Sequence, residues 1–109
     1  MSRRVTVSTW QEVTKALETY QEPLELISPP NACDYIGIPF FKALEERARF
    51  KYSHKTFDFI LDCEAPGHVM GAFRCGMKKV LYRGDEAYLP ALKSMADQVG
   101  GVIVGFPKT

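Results

Sequence analysis

Short β-rich runs alternate with longer amphipathic runs along almost the whole sequence, and few folds are compatible with such a pattern. In the longer runs, apolar residues recur at spacings of three and four, which is typical of helices with one buried face. Parallel neighbouring strands need a crossover of about a dozen residues, and a helix supplies it. The pattern therefore predicts a parallel sheet with helical crossovers, its strands at 4–8, 24–28, 57–63, 78–83 and 102–105, followed by a tail at 106–109.

Local signals mark the ends of the predicted helices. Thr9 and Glu12 fit a capping box, in which each residue binds a free backbone N–H of the first turn. Gly76 follows the run over 66–74, at a position where left-handed backbone favours glycine. The predicted helices are 9–21, a short turn at 31–37 that Asn31 caps, 38–49 with Pro39 in its first turn, 66–74 with Pro66 at its start, and a last helix between Asp85 and Gly100.

The helix over 38–49 is expected to have an apolar face and a charged face. The predicted core residues are Phe40, Phe41, Leu44 and Ala48, and the predicted solvated residues are Glu45, Glu46, Arg47 and Arg49. The other core candidates among the aromatics are Phe57, Phe59 and Phe73; any aromatic that lies outside the core would mark a dimer patch.

The chain has 109 residues, enough for a single α/β domain over 1–109. A three-layer sandwich with the flavodoxin-like strand order 2-1-3-4-5 is the predicted architecture. A (βα)4 half-barrel that completes itself by dimerising is the alternative. The layout resembles the receiver, flavodoxin-like and STAS groups of small α/β domains in the arrangement of its elements, and it carries none of their motifs.

Charge and hydropathy exclude several classes of function. Fourteen Lys and Arg residues against thirteen Asp and Glu give a net charge of +1, so we expect no nucleic-acid partner and no anionic membrane. No apolar run approaches the roughly 20 residues of a membrane span. The start, Met1-Ser2-Arg3-Arg4, lacks the apolar segment of a secretory signal, and this predicts a cytoplasmic protein.

The three cysteines follow no disulfide or metal-binding pattern. Cys33 and Cys75 are predicted to be small buried hydrophobes. A zinc site would need four ligands, and Cys63, His68 and Cys75 supply at most three. We therefore predict no metal and no cofactor.

Ligands of open parallel sheets bind beyond the carboxyl ends of the strands, where the strand order reverses. With order 2-1-3-4-5, this point brings Ser8 and Thr9 close to the polar segment 62–68, which follows the most apolar strand. The candidate ligand-binding residues are Thr9, Asn31, Asp62, Cys63, Glu64, Gly67, His68 and Arg83.

The segment 62–68 admits four interpretations. Cys63 would be a nucleophile with His68 as its base. Asp62 and Glu64 would bind a divalent cation, with Asp85 as a third ligand. The segment would bind a ligand or partner without chemistry. In the simplest interpretation, the two acids only cap the helix that begins at Pro66.

Arg83 and Gly84 precede a helix and could together hold a phosphate. The neighbouring acids Asp85 and Glu86 would repel an anion, so a surface ion pair between Arg83 and one of them is the preferred interpretation.

The leading functional hypothesis is a cytoplasmic α/β module without catalysis that binds a small molecule or a protein and forms a homodimer. The first alternative is a small enzyme that uses the loop from Asp62 to His68. The second is a structural protein that oligomerises through an exposed aromatic patch.

Overall fold

The computed structural model describes residues 3–104, so the predicted strand end at Gly105 and the tail at 106–109 lie outside the described residues. A short 3₁₀ turn, Glu86–Tyr88, precedes the last helix. None of the helices in this part of the chain is long and apolar enough to cross a bilayer. In chain order the elements are β1 (Arg3–Thr6), α1 (Trp10–Thr19), β2 (Leu24–Ile27), α2 (Ala32–Tyr35), α3 (Ile38–Lys51), β3 (Phe57–Cys63), α4 (Pro66–Arg74), β4 (Lys79–Tyr82), α5 (Leu89–Val99) and β5 (Val102–Val104).

All five strands are parallel, which confirms the predicted α/β class and its five-stranded sheet. The strand order is β1-β2-β3-β4-β5, so the predicted order 2-1-3-4-5 was wrong. In the observed register, Val5 of β1 pairs with Leu26 of β2, and Leu26 pairs in turn with Phe59 of β3. Hydrophobic periodicity identifies a crossover but not the side to which it steps, and both orders satisfy the same periodicity. The consecutive order is the one that the half-barrel alternative requires.

One large core contains the buried apolar side chains of every helix together with alternate residues of the strands. Phe59 and Leu61 belong to it, and both are almost fully buried. The intervening strand positions point to the second face of the sheet, since successive residues alternate. There Ile27, Ile60 and Leu81 form a smaller cluster, with Val104 packed against it.

Ion pairs border this smaller cluster at the amino ends of the strands. Arg4 of β1 binds Glu25 of β2, with 3.2 Å between Nε and Oε1. Lys79 of β4 binds Asp58 of β3, with 2.6 Å between Nζ and Oδ2. Long charged side chains therefore flank the apolar row of the second face.

Thr9 caps α1 as predicted, while Glu12 reaches back one residue beyond the N-cap, to Ser8. The Thr9 hydroxyl accepts a hydrogen bond from the Glu12 backbone N–H at 3.1 Å. The Glu12 carboxylate reaches back and accepts from the backbone N–H of Ser8 at 2.8 Å. Gly76 has φ +94°, as predicted for the residue after α4.

Asp85 begins the 3₁₀ turn rather than α5. Its carboxylate accepts from the Ala87 backbone N–H at 2.9 Å, and α5 follows at Leu89 with Pro90 in its first turn. Gly100 ends α5 in left-handed backbone, with φ +69°.

Two residues of α3 differ from their predicted environments. Phe40 is 41% exposed, whereas the predicted core residues Phe41, Leu44 and Ala48 are buried. Glu45, which was predicted to be solvated, is only 4% exposed. Glu45 lies one helical turn after Phe41, on the same face, and its charge is compensated by Lys42 at 3.5 Å and Arg49 at 2.9 Å.

Candidate functional site

An ion pair joins the carboxyl ends of β3 and β4. Asp62 is only 5% exposed, and its Oδ1 accepts from Nε and Nη2 of Arg83 at 3.0 and 2.9 Å. The same Nη2 lies 3.2 Å from Oε1 of Glu64. Backbone pairing continues past β4, because the Arg83 N–H donates to the Cys63 carbonyl at 2.9 Å. The sheet register thus holds the guanidinium between two carboxylates.

Asn31 extends this arrangement to the loop after β2. Its backbone is left-handed, with φ 61°, and its side chain makes no capping hydrogen bond to α2. The hydrogen-bonding pattern orients the amide so that its nitrogen donates to both oxygens of Glu64, at 3.0 and 2.6 Å. We call Asn31, Asp62, Glu64 and Arg83 the rim network.

Ser28 occupies the place beside Asp62 that was predicted for Ser8 and Thr9. Its hydroxyl accepts a hydrogen bond from the Asp62 backbone N–H at 2.8 Å. Ser28 is buried and directly follows β2. Because β2 separates β1 from β3, Thr9 is not brought to Asp62 and only caps α1. That part of the predicted site was wrong, for the same reason as the predicted strand order.

Asp62 near the end of β3 and Glu64 just after it do not cap α4, so the simplest interpretation of these two acids was also wrong. The N-cap residue of α4 is Ala65, and no side chain binds there. Pro66 occupies the first turn, as predicted. The two carboxylates bind side chains of the rim network instead, because Arg83 comes from the adjacent strand and supplies the countercharge.

The prediction that Arg83 pairs with Asp85 or Glu86 was wrong as well. Asp85 caps the 3₁₀ turn, while Arg83 binds the acids of the neighbouring strand. Gly84 lies in a tight contact, since an added Cβ would collide with the backbone oxygen of Glu64 and with the Tyr82 ring. The absence of a side chain at Gly84 therefore allows the segments that follow β3 and β4 to lie close together.

Cys63 does not have the environment of a nucleophile that attacks a substrate from solution. Its side chain is fully buried, and its pKa is raised by the neighbouring Cys33 thiol and further by burial. The thiol of Cys33 also contacts the Asp62 backbone oxygen at 3.6 Å. Cys33 and Cys75 are half-buried rather than fully buried.

His68 lies in the first turn of α4 and faces α2. Its Nε2 is 3.0 Å from Oδ1 of Asp34. Gly67 is exposed, and an added Cβ there would meet no atom within 4 Å. Sequence reasoning missed Ser28 and Asp34. The position of Ser28 at a strand end was a usable signal, whereas Asp34 had none.

Within residues 3–104, no group of three His, Cys, Asp or Glu side chains is arranged to hold a metal ion. The cation interpretation of Asp62, Glu64 and Asp85 therefore has no geometric support. Two clefts of about 260 Å³ lie away from the rim network. One is near the amino ends of β2 and β3 and includes Tyr20, Pro23 and Lys55. The other lies between β1 and α1 and includes Thr6 and Lys15.

Comparison with known proteins does not extend this description. No family model, no curated protein and no solved structure matches the chain.

Proposed function

We propose that this chain is a non-catalytic binding module that engages a ligand or partner at the carboxyl edge of its sheet, around the rim network. One observation carries the proposal: the reactive groups of this edge are already buried or engaged. Cys63 is buried, Asp62 is bound by Arg83, and His68 is bound by Asp34. General acid–base or nucleophilic chemistry needs a nucleophile and a base within reach of each other and of a substrate.

The same edge offers groups that suit recognition. The side chain of Glu64 is 47% exposed and lies beside the partly exposed guanidinium of Arg83. The side chain of Asp34, which binds His68, is 62% exposed. The network holds these groups in place, so that a ligand would meet carboxylate oxygens and guanidinium N–H groups in a preorganised arrangement. We expect the module to act in the cytoplasm.

The proposal is tested with a panel of sugars, nucleotides, polyamines, amino acids and short peptides in a thermal-unfolding screen. A ligand that binds the folded state raises the unfolding midpoint by mass action. At a ligand concentration a hundred times its Kd, the free energy of unfolding increases by about 2.7 kcal/mol. A ligand of the rim should shift the parent protein and Glu46→Gln equally, because Glu46 is an exposed acid of α3. The shift should be lost in Glu64→Gln and Asn31→Ala.

Two results would contradict the proposal. One is a set of ligands whose effect survives both rim variants and disappears in variants of the cleft near the amino ends of β2 and β3, such as His54→Ala, since His54 also lines that cleft. The other is reproducible turnover of any panel compound that Asp62→Asn or Cys63→Ala abolishes, which would restore the enzyme hypothesis.

Self-association is a second candidate function, and β5 favours it. Val102, Ile103 and Val104 form the outer strand beside β4, and Val102 is 48% exposed. An unprotected apolar edge strand can pair with the same strand of a second copy. Light scattering should then show a dimer that Val102→Lys converts to a monomer, and a parent protein that is monomeric at high concentration would contradict this candidate.

A further inference from the structure

The proposed binding function leaves one feature unused, namely that Cys33 packs against the core cluster that contains Cys63. Cys33 belongs to α2 and Cys63 ends β3, and these two elements pack against each other. The thiol of Cys33 lies 3.6 Å from the backbone oxygen of Asp62, the residue directly before Cys63. The two thiols are close enough to shift each other's pKa, which is lowered for Cys33 and raised for Cys63. Two neighbouring thiols from different elements are the arrangement from which a disulfide can form.

The two cysteines differ in their access to solvent. Cys63 is fully buried in the main core, whereas Cys33 is half-buried and lies at its edge. A small oxidant in solution can therefore reach Cys33 first. Oxidation-sensitive cysteines are typically accessible, with a second cysteine beside them that can resolve the oxidised form.

Local charge bears on the reactivity of Cys33 in both directions. The neighbouring Cys63 thiol lowers the pKa of Cys33 and is the largest effect on it, while partial burial and the carboxylates of Asp34 and Asp62 oppose this effect. The thiolate is the reactive form of a cysteine. The pair itself therefore favours the thiolate on the accessible member.

We propose that Cys33 and Cys63 are a peroxide-oxidisable pair that forms a reversible disulfide between α2 and β3. In the first step, the Cys33 sulfur attacks one oxygen of hydrogen peroxide; an S–O bond forms, the O–O bond breaks, and the hydroxide that leaves takes up the thiol proton as water. In the second step, the Cys63 sulfur attacks the sulfur of this sulfenic acid. The hydroxyl leaves with the Cys63 proton as a second water, and the S–S bond remains.

The disulfide would form a covalent link next to the rim network, because Asn31 and Asp62 are close neighbours of the two cysteines in sequence. Disulfides of reducing compartments are usually transient and serve redox sensing, and a cellular dithiol would reverse this one by thiol–disulfide exchange. The inference does not depend on the binding function proposed above.

Peptide mapping tests the proposal directly, because trypsin places the three cysteines on three different peptides, 16–42, 56–74 and 75–78. The folded, reduced protein is treated with one equivalent of hydrogen peroxide, alkylated and digested. Peptides 16–42 and 56–74 should be recovered as one linked species that dithiothreitol separates. Peptide 75–78 should be recovered alkylated.

Variants assign the order of the steps. In Cys63→Ala, Cys33 should be trapped by dimedone as a sulfenic acid, since nothing resolves it. In Cys33→Ser, Cys63 should stay reduced because it is buried. Cys75→Ser is the matched control and should form the link as the parent does. In concentrated urea the selectivity should disappear, since it depends on the fold.

The proposal is overturned if folded parent protein links peptide 75–78 in preference, or if Cys33 proceeds to sulfinic acid without a link. It is also overturned if the parent and Cys75→Ser form no link while all three thiols remain alkylatable. These outcomes need only the parent and the Cys75→Ser control, so they decide the question even if substitution of the buried Cys63 prevents folding.

Discussion

Asp62 is the residue whose surroundings matter most for stability at the candidate site. A nearly buried carboxylate is costly without a countercharge, and Arg83 supplies this charge from the next strand. The neighbouring Ser28 hydroxyl organises the Asp62 backbone. Position, charge and burial of this one side chain are therefore set by residues far from it in sequence.

We expect Arg83→Met to lower the free energy of unfolding by about 3 kcal/mol, because the substitution leaves a buried charge without its partner. Urea denaturation measures this effect. Arg3→Met is the matched control, since Arg3 and Glu22 are largely exposed at a similar distance, 3.0 Å, and exposed pairs contribute little to stability. The double variant Asp62→Asn/Arg83→Met should recover part of the loss; an effect of Arg83→Met no larger than the control would contradict the assigned role.

The raised pKa of Tyr52 leads us to expect a loss of stability in alkaline solution. Burial, together with a hydrogen bond to Glu18 at 2.5 Å, raises its pKa from 10.0 to about 12. The unfolded chain therefore loses this proton at a lower pH than the folded chain, and this contribution to stability is complete below pH 10.0 and declines as the pH rises towards about 12.

When the pH is raised from below to above 10.0, the urea midpoint should therefore fall more for the parent protein than for Tyr52→Phe, which has no phenol to ionise. Tyr35→Phe should behave like the parent, because Tyr35 is exposed. An equal decline in the parent and in Tyr52→Phe would show that Tyr52 does not cause it.

Among the elements, α1 depends on a residue from outside the helix. Its last turn contains no basic residue, although helix C-termini favour cations. Lys55, in the loop before β3, supplies the cation: its ammonium group donates to the backbone oxygens of Leu17 and Tyr20. The loop thereby joins the end of α1 to the start of the central strand.

Lys55→Met should destabilise the protein by about 1 kcal/mol, since it removes these hydrogen bonds and the charge at the helix end. Thermal unfolding at low ionic strength is the appropriate measurement. Lys93→Met, on the exposed face of α5, should have almost no effect. Equal effects of the two substitutions would mean that the contact of Lys55 with α1 contributes nothing.

For the whole molecule, the consecutive strand order places β3 in the middle of the sheet and β1 and β5 at its edges. Backbone amides of the centre should therefore open only on global unfolding, and those of the edges by local opening. Native-state hydrogen exchange should give the slowest rates in β3 and the fastest strand rates in β1 and β5. Protection of β5 equal to that of β3 would instead indicate that a second copy covers this edge.

Local signals were sufficient to predict most elements of this fold. The bounds of β3 and α4, the capping box at Thr9 and the glycine after α4 all depend on interactions within about four residues, which the sequence specifies directly. The predicted start of α5, at Asp85, was too early, because the turn that Asp85 caps adopts 3₁₀ geometry before the helix begins.

The candidate site was predicted only in part. Its location beyond β3 and the involvement of Asp62, Glu64, Asn31 and Arg83 were anticipated, whereas the pairings among them were not. Arg83 was assigned to the acids next to it in sequence, yet it binds acids of the neighbouring strand. Cross-strand partners depend on register and strand order, which no local pattern encodes.

The sequence alone therefore determined the class of fold, the succession of elements and the edge of the sheet where polar groups gather, because periodicity, caps and turns are short-range properties. Tertiary structure decided the strand order, the burial of Glu45 and the exposure of Phe40. It also decided the ion pairs of the rim network and the packing of Cys33 against the cluster that contains Cys63. These features depend on which residues, distant in the chain, are placed side by side when the crossovers step along the sheet, and each crossover can step to either side without any change in its own hydrophobic pattern.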